Sequence, residues 1–447
     1  MKKLFGTDGM RGAAGEFPLD EQTIYTVGRS LARQFREKFG RAPRFITGRD
    51  TRESGAWIER AFHAGAASAD ARCESAAVIT TPGVAFLTKN FAFDAGVVIS
   101  ASHNPYHDNG IKIFAPTGKK IDGETERRIE SDIYQEKSEI GKREAEVDSS
   151  KAEKYQTAYL DYLAEEFKDL RLENFKMIVD CANGAASALA PPLFERFGAE
   201  IVVINCAPDG KNINRDCGSL HLEKLQAKVL DEKADFGVAF DGDADRSLFV
   251  DEHGNLVDGD AVLWIMAQFL SEHGRLDHQT VVATVMSNIG LEIALSARNI
   301  NLLRTAVGDK YVLEELLKTG AAIGGEQSGH IIFPEKSLVG DGLMTTLFLL
   351  ESLYEKSRSL SEMIRGFTRY PQILVNVKVK EKRPFEEVFE IAEASKLLEN
   401  ELAGKGRLLL RYSGTENLAR VMIEGENQTQ IETQAHRLAD VIRTSLG

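Results

Sequence analysis

Phe236-Gly237-Val238-Ala239-Phe240-Asp241-Gly242-Asp243-Ala244-Asp245-Arg246 is an apolar run that ends abruptly in three alternating carboxylates and a guanidinium. Its first five residues read as a buried strand, and the rest as the loop that strand delivers. Gly242 and Ala244 are small enough to let the three acids converge on one point. Like charges held together repel, so a cation is what makes such convergence favourable. An all-oxygen donor set selects a hard ion, Mg²⁺ before Ca²⁺, and argues against Zn²⁺. Mg²⁺ on a few carboxylates, with positions left open, usually meets a phosphate. The rival reading is a Ca²⁺-binding EF-hand, because Glu252 falls at the twelfth position of that loop. Arg246 stands where its sharp turn requires Gly, and Leu248–Val250 reads as a strand where a helix would be needed. A solvated acidic turn is a third reading, disfavoured by the apolar strands on both sides.

Outward from this run, short apolar segments alternate with helical patterns. Phe45–Thr47, Ala95–Ser100, Met177–Val179, Ile201–Ile204 and Thr280–Val285 read as strands. Ser54–Ala69, Leu220–Leu230 and Asp260–Leu270 read as helices, the last with Val262, Ile265, Met266 and Phe269 on one face. Such alternation argues α/β domains with largely parallel strands. One theme, a strand followed by a polar loop and a helix, recurs at Phe45–Asp50, Met177–Gly184 and Val281–Asn288, which fits three domains of similar build. The polar helical stretch Ser150–Lys168 links the first to the second. After Pro371 the pattern changes to strand (Ile373–Val379), helix (Pro384–Leu402), two strands (Leu408–Arg411, Arg420–Glu424) and helix (Gln428–Leu446), a small α+β domain.

The chain has 447 residues, 43% hydrophobic and 28% charged, ordinary values for a globular enzyme of several domains. A net charge of −13 without a basic block argues against nucleic acid or an anionic membrane as partner. No stretch approaches the ~20 apolar residues of a membrane span. Met1–Asp8 has no apolar signal region, and the four cysteines lack C-x-x-C spacing. The expectation is a cytoplasmic protein with reduced thiols.

Four further segments carry chemistry. Ser100-Ala101-Ser102-His103-Asn104-Pro105 ends the Gly96–Ile99 strand, and Asn109-Gly110 is expected to force a turn before Lys112 enters an apolar run. A generic turn with a snorkelling lysine reads equally well. Ser-His acyl transfer lacks the G-x-S-x-G elbow. With an Mg²⁺ loop elsewhere, a phosphorylated Ser102 that completes the metal site is the better hypothesis. Arg411-Tyr412-Ser413-Gly414-Thr415-Glu416-Asn417, with Arg420, suits a terminal phosphate, or is a hairpin turn with surface arginines. Gly325-Glu326-Gln327-Ser328-Gly329-His330 offers an acceptor and a hydroxyl on one side of an extended loop, as a sugar diol requires, and His330 could exchange a proton. Gly6–Gly12, with Arg11, and Gly48–Arg52 mix Arg, Asp and Gly. Either could hold phosphate, and for Arg49-Asp50 an ion-pair lock is the favoured reading.

Taken together and in this order, these motifs resemble those of the α-D-phosphohexomutase superfamily along the whole chain. They look like its phosphoserine loop (Ser100–Pro105), metal loop (Asp241–Arg246), sugar loop (Gly325–His330) and phosphate loop (Arg411–Arg420). Phe5–Gly12, Thr284–Asn288, Ala306–Tyr311 and Gln327 look most like the bacterial phosphoglucosamine mutases. Tyr412 and Asn417 depart from the pattern, which commonly has Pro at or near these positions. The resemblance implies three similar α/β domains with mixed sheets flanked by helices (1–149, 150–252, 253–368), a small TBP-like α+β domain (369–447), and a heart-shaped arrangement. It implies interconversion of glucosamine 6-phosphate and glucosamine 1-phosphate through a phosphoserine and a sugar 1,6-bisphosphate. Ser102, Asp241, Asp243 and Asp245 would hold Mg²⁺. Lys112 and Arg246 would stabilise the transferring phosphoryl group, with His330 and His103 as acid/base candidates. Glu326 and Ser328 would hold sugar hydroxyls. Arg411, Ser413, Gly414, Thr415 and Arg420, with Arg11, would hold phosphate. The implied partner is a small sugar phosphate, and a homodimer is an open expectation because related mutases are often dimers. The alternatives are the same chemistry on mannose or glucose phosphates, and a silent sugar-phosphate sensor.

Overall fold

The computed structural model describes residues 3–135, 146–402, 404–413 and 416–447. The chain divides into two units, one of Met1–Thr284 with Leu303–Arg365 and one of Val285–Leu302 with Gly366–Gly447.

The first unit holds three sheets. Strands β1 (Met10–Ala13), β2 (Arg44–Arg49), β3 (Arg72–Val78), β4 (Ala95–Ile99) and β5 (Asp108–Phe114) pair in the order β1-β5-β4-β2-β3. Strands β6 (Lys176–Asp180), β7 (Glu200–Ile204), β8 (Phe236–Phe240), β9 (Ser247–Asp251) and β10 (Leu256–Val257) pair as β10-β9-β8-β6-β7. Strands β11 (Thr280–Thr284), β12 (Asn301–Thr305), β13 (Ile323–Gly325) and β14 (Ile331–Ile332) pair as β12-β11-β13-β14.

These orders repeat. In each sheet an inner strand (β2, β6, β11) lies parallel to a second (β4, β8, β13), which is followed by an antiparallel return strand (β5, β9, β14). The three segments singled out for the strand–loop–helix theme are those containing β2, β6 and β11, so the recurrence in sequence marks equivalent places in three sheets. The sheets are mixed rather than largely parallel, because each β4-type strand turns straight back on itself. That turn is where each site loop sits.

The buried strands are made as their composition demands. β4 and β8 are buried at every position and consist of Ala, Gly, Val, Ile and Phe, as central strands covered on both faces must. Val97 and Ile99 of β4 share a core with Phe45, Phe62 and Ile111, each aromatic or branched side chain worth roughly 1.5–3 kcal/mol on burial. The helix Gly259–Glu272 is buried nearly all round, Trp264 included, rather than along one stripe. The helix expected at Leu220–Leu230 begins instead at Glu223, after a single tight turn at Gly218–Leu220.

One turn expectation is overturned. Asn109 and Gly110 lie inside β5, opposite Gly12 and Arg11 of β1. A Cβ on Gly110 would come within 2.6 Å of the Ser100 carbonyl oxygen, so this glycine serves close backbone approach rather than chain reversal. Asn109 donates to Ser54 Oγ at 2.8 Å.

The second unit carries an antiparallel sheet of β15 (Gln372–Lys378), β16 (Gly406–Tyr412) and β17 (Leu418–Gly425) in the order β15-β17-β16. The expected helix at Pro384–Leu402 breaks at Val388 into a tight turn (Phe385–Glu387) and the helix Phe389–Leu402. Helix Gln428–Leu446 completes the layer and supplies Ile431, Leu438 and Ile442 to the core. The segment Val285–Leu302 is tied to this sheet by buried Glu424, which accepts from the Ile289 amide at 3.1 Å and Arg407 Nε at 2.9 Å.

Candidate active site

Two loops of the first unit meet at Ser102. It ends the loop after β4 with φ at +53°, a left-handed conformation rare for a non-glycine residue and characteristic of functional loops. Its Oγ donates a hydrogen bond to Asp241 Oδ2 of the loop after β8. Gly242 permits the meeting, since a Cβ there would come within 2.6 Å of the Ser102 carbonyl oxygen. Ala244 is also left-handed, φ +54°, which turns the backbone so that alternate acids face one point.

The Ser102 loop is fastened from behind. Arg52, 1% exposed, is paired with buried Asp50 at 2.9 Å and donates to the carbonyls of Ser102 (2.9 Å), Asn104 (2.8 Å), Asp108 (3.1 Å) and Pro105. Asn214 Nδ2 donates to the Ser102 and Asn104 carbonyls at 2.9 and 3.1 Å. Ser100 Oγ donates to Asp50 at 2.6 Å and accepts from the Ser102 amide at 2.9 Å. The Asp50–Arg52 pair is thus a lock on the loop, in line with the structural reading of that segment.

Asp241, Asp243 and Asp245 each offer one carboxylate oxygen, and these oxygens lie within 4.8 Å of one another. Oδ1 of Asp243 and Oδ1 of Asp245 are buried with no hydrogen-bond partner. Their other oxygens accept from Lys112 Nζ at 2.8 and 2.9 Å. Asp243 also accepts from Thr81 Oγ1 at 2.6 Å. Buried, orphaned, all-oxygen donors held beside one another fit a hard cation. Glu252, which the EF-hand reading would need as a ligand, instead accepts from Ser361 Oγ at 2.6 Å.

The electrostatics follow from burial and crowding. Burial, then Asp245 and Asp243, drive the Asp241 carboxyl well above its ordinary range. Burial opposes the charge on Asp245 too, yet Lys112 and His330 hold it well below the usual range. Burial works against the Lys112 ammonium, but Asp243, Asp245 and Asp8 raise it. Arg246 is raised by Asp245 and Asp241 against its burial. Its Nη1 donates to His103 Nδ1 at 3.0 Å. Burial, Arg246 and Arg11 push His103 down to about 4, so it is neutral at pH 7.

The sugar-type loop is a tight hairpin between β13 and β14 rather than an extended loop. Ser328 Oγ still points to Glu326 Oε2, at 3.5 Å, and Glu326 Oε1 accepts from the Gly308 amide at 3.1 Å. Gln327 donates to Asp258 at 3.1 Å, the residue that also caps helix Gly259–Glu272. His330 is buried, its Nδ1 3.7 Å from Asp245 Oδ1, while Nε2 accepts the Gly340 amide at 3.0 Å. Asp245 raises its pKa against burial. Nε2 is thus taken up by Gly340, while Nδ1 faces Asp245 from beyond hydrogen-bond distance.

Arg11 lies in β1 and is paired with Asp8, which also sits 3.1 Å from Lys112. Asp8, Thr81, Asn214, Lys120 and Asp309 escaped the sequence reading as members of this site. Asp8, in the Gly6–Gly12 turn, and Asp309, in the Ala306–Tyr311 segment, carried a signal.

In the second unit, Arg411 of β16 and Arg420 of β17 are direct cross-strand partners. Like charges directly opposite each other destabilise a sheet, and their juxtaposition is sensible where an anion binds between them. Arg420 Nε is buried without a partner, and burial with Arg420 beside it lowers the pKa of Arg411. Ser413 is buried at the end of β16, its amide donating to the Leu418 carbonyl at 2.8 Å. Gly414 and Thr415 lie outside the described residues.

A serine from a loop of the first sheet, bonded into an acidic triad from a loop of the second, is the geometry of a metal-assisted phosphoryl-transfer type of site. The chain matches the phosphoglucomutase/phosphomannomutase family in all four of its parts: alpha/beta/alpha domain I over 2–140, domain II over 157–254, domain III over 258–370 and the C-terminal domain over 374–441. It belongs to that family. A phosphoglucosamine mutase of Solibacter usitatus is 48% identical over 451 residues, which cover 100% of this chain and 99% of that one. Among solved structures, a phosphoglucomutase/phosphomannomutase family protein of Burkholderia thailandensis superposes with TM-score 0.80 at 23% identity, covering 99% of this chain and 97% of that chain. The N-acetylphosphoglucosamine mutase of Aspergillus fumigatus, in complex with GlcNAc-6P and magnesium, gives 0.69 at 19%, covering 99% and 96%.

Proposed function

We propose that this protein is a phosphoglucosamine mutase that interconverts glucosamine 6-phosphate and glucosamine 1-phosphate. The observation that carries the proposal is Ser102, hydrogen-bonded to Asp241 at the rim of the acidic triad. Full-length relatives named phosphoglucosamine mutase, up to 48% identical, favour glucosamine over mannose or glucose. Asp241, Asp243, Asp245 and a phosphate on Ser102 would hold Mg²⁺, which when bound neutralises charge on the transferring phosphoryl group.

The phosphoryl group on Ser102 Oγ passes to the free hydroxyl of the sugar. The Oγ–P bond breaks, the sugar O–P bond forms, and the hydroxyl proton leaves to a base. The resulting 1,6-bisphosphate turns round, and Ser102 takes back the other phosphoryl group. Lys112 and Arg246 stabilise its equatorial oxygens. Glu326 and Ser328 hold sugar hydroxyls. Arg411, Ser413 and Arg420, with Gly414 and Thr415, hold the phosphate that does not react, and Arg11 is a separate substrate-binding candidate. For His330 to move a proton through Nε2 it must first release the Gly340 amide. His103 is neutral with Nδ1 taken up by Arg246, so it offers a hydrogen bond from Nε2 and has no acidic proton to give at pH 7.

The test is kcat/KM with Mg²⁺ on the 6-phosphates of glucosamine, glucose and mannose. A clear preference for glucosamine 6-phosphate supports the assignment. A preference for either neutral sugar transfers the chain to phosphoglucomutase/phosphomannomutase activity, and no turnover of any of them leaves a sensor.

A further inference from the structure

Behind Lys112 lies a chain of alternating charge. Lys112 Nζ carries three protons, and three carboxylates surround it: Asp243 at 2.8 Å, Asp245 at 2.9 Å and Asp8 at 3.1 Å. Where this ammonium sits is a balance among the three. The other oxygen of Asp8 is 2.6 Å from Lys120 Nζ, and Lys120 in turn pairs with Asp309. Beyond Asp309 stands His330, with Nε2 3.8 Å from Asp309 Oδ2 and Nδ1 3.7 Å from Asp245.

Lys120 reaches its place through the turn after β5. Gly118, left-handed, and the Ala115-amide-to-Lys119-carbonyl bond at 2.7 Å fold the chain back, so Lys120 pairs with Phe114 beside the strand that carries Lys112. Only 18% of the side chain is exposed. Asp8 and Asp309 outweigh that burial and raise its pKa, so it stays charged. Without that charge, Asp8 and Asp309 would lose the counter-ion they share. Asp8 would then draw on Lys112 alone with Arg11, and pull the ammonium off its position over the aspartates.

We infer that Lys120 is a positioning residue for phosphoryl transfer: through Asp8 it sets where Lys112 points, and through Asp309 it braces the Gly308–His330 side of the site. It makes no contact with the reacting atoms. The inference rests on the mutase reading above.

The experiment is steady-state kinetics on K120M, K120R, D8N and D8N/K120M, each with its melting temperature. We expect K120M to lower kcat by about 10- to 100-fold, the range for residues that orient a reactive group from behind, with KM within about threefold of wild type. K120R should recover most of the loss. In the D8N background, K120M should cost less than about threefold, because residues that act through one another are not additive. A full K120M loss on top of D8N, a loss confined to KM, or a folded K120M with wild-type kcat overturns the inference. If K120M fails to fold, K120M/D309N removes one charge of each sign, and the same kcat loss with KM unchanged is then expected of it. S102A is run alongside: if it still turns over sugar phosphate, the mutase reading itself fails, whatever Lys120 does.

Discussion

Ser102 gathers more backbone support than any surface turn would need. Arg52, Asp50, Ser100 and Asn214 all hold the loop in one left-handed conformation. Replacing Ser102 by Ala keeps that backbone but removes the oxygen proposed to carry the phosphoryl group. S102A should melt within a few degrees of wild type and show no mutase turnover. Arg52 is the opposite case. R52A leaves Asp50 buried without its ion-pair partner and takes a donor from four carbonyls, of which Ser102 and Asn104 keep Asn214, and should cost about 3–5 kcal/mol of stability, readable by denaturant titration. The motif Asp241–Arg246 and Ser102 were legible in sequence because acids alternating with small residues have few other uses. Asn214 and Thr81 were not, since a single polar residue in a loop far along the chain carries no periodicity and no pattern.

Asp341 supplies a pH prediction. It caps helix Gly342–Lys356 and accepts from Tyr159 at 2.7 Å, and burial pushes its carboxyl up to about 6 from an ordinary value of 3.8. The folded chain then binds a proton more tightly than the unfolded one. Stability from this group is present below the unfolded value and is lost as pH rises from about 4 to about 6. D341N keeps a capping oxygen and does not titrate. The stability of D341N relative to wild type should therefore rise across that window, by at most about 3 kcal/mol. Equal differences at both ends would place the pH dependence elsewhere.

At the level of elements, the organising fact is that β4, β8 and β13 are equivalent strands, and each is followed by a site loop and an antiparallel return. The sequence announced the strands through their unbroken apolar runs. It did not announce the return direction, because a buried strand reads the same in parallel and antiparallel pairing. That is why alternation alone read as largely parallel, while the mixed sheets that are found were expected only from the family resemblance. Asn109-Gly110 misled for a related reason: the pair is the strongest short turn signal, but here Gly is needed where Ser100 approaches a strand. In the second unit, β16 and β17 place Arg411 opposite Arg420. R420A should raise KM for both sugar phosphates with a smaller change in kcat, because the contact is shared by ground and transition states. An unchanged KM would make Arg420 structural.

Across the whole molecule, four family segments account for nearly the full chain, and the motif order visible in the sequence is the order in which the segments appear. Among the described residues no helix is long and apolar enough to cross a membrane. An acidic chain of net charge −13 still sets Lys112 against buried Asp243 and Asp245, with Arg246 beside Asp241. The unpartnered oxygens of Asp243 and Asp245 are left for the cation proposed above. Mg²⁺ at about 100 times its Kd should stabilise the protein by about 2.7 kcal/mol, and chelation should reverse this. D243N should abolish the response. A melting temperature indifferent to Mg²⁺ in wild type would count against the triad as a metal site.

The most direct test of the account is the intact mass of the purified protein before and after phosphatase, with peptide mapping of the Ser100–Pro105 loop. The account expects one phosphoryl group on Ser102, removed by phosphatase together with Mg²⁺-dependent isomerisation of glucosamine 6-phosphate, and both restored by a hexose 1,6-bisphosphate. A Ser102 that is unmodified and cannot be phosphorylated by a bisphosphate, or full activity without that phosphate, would contradict it.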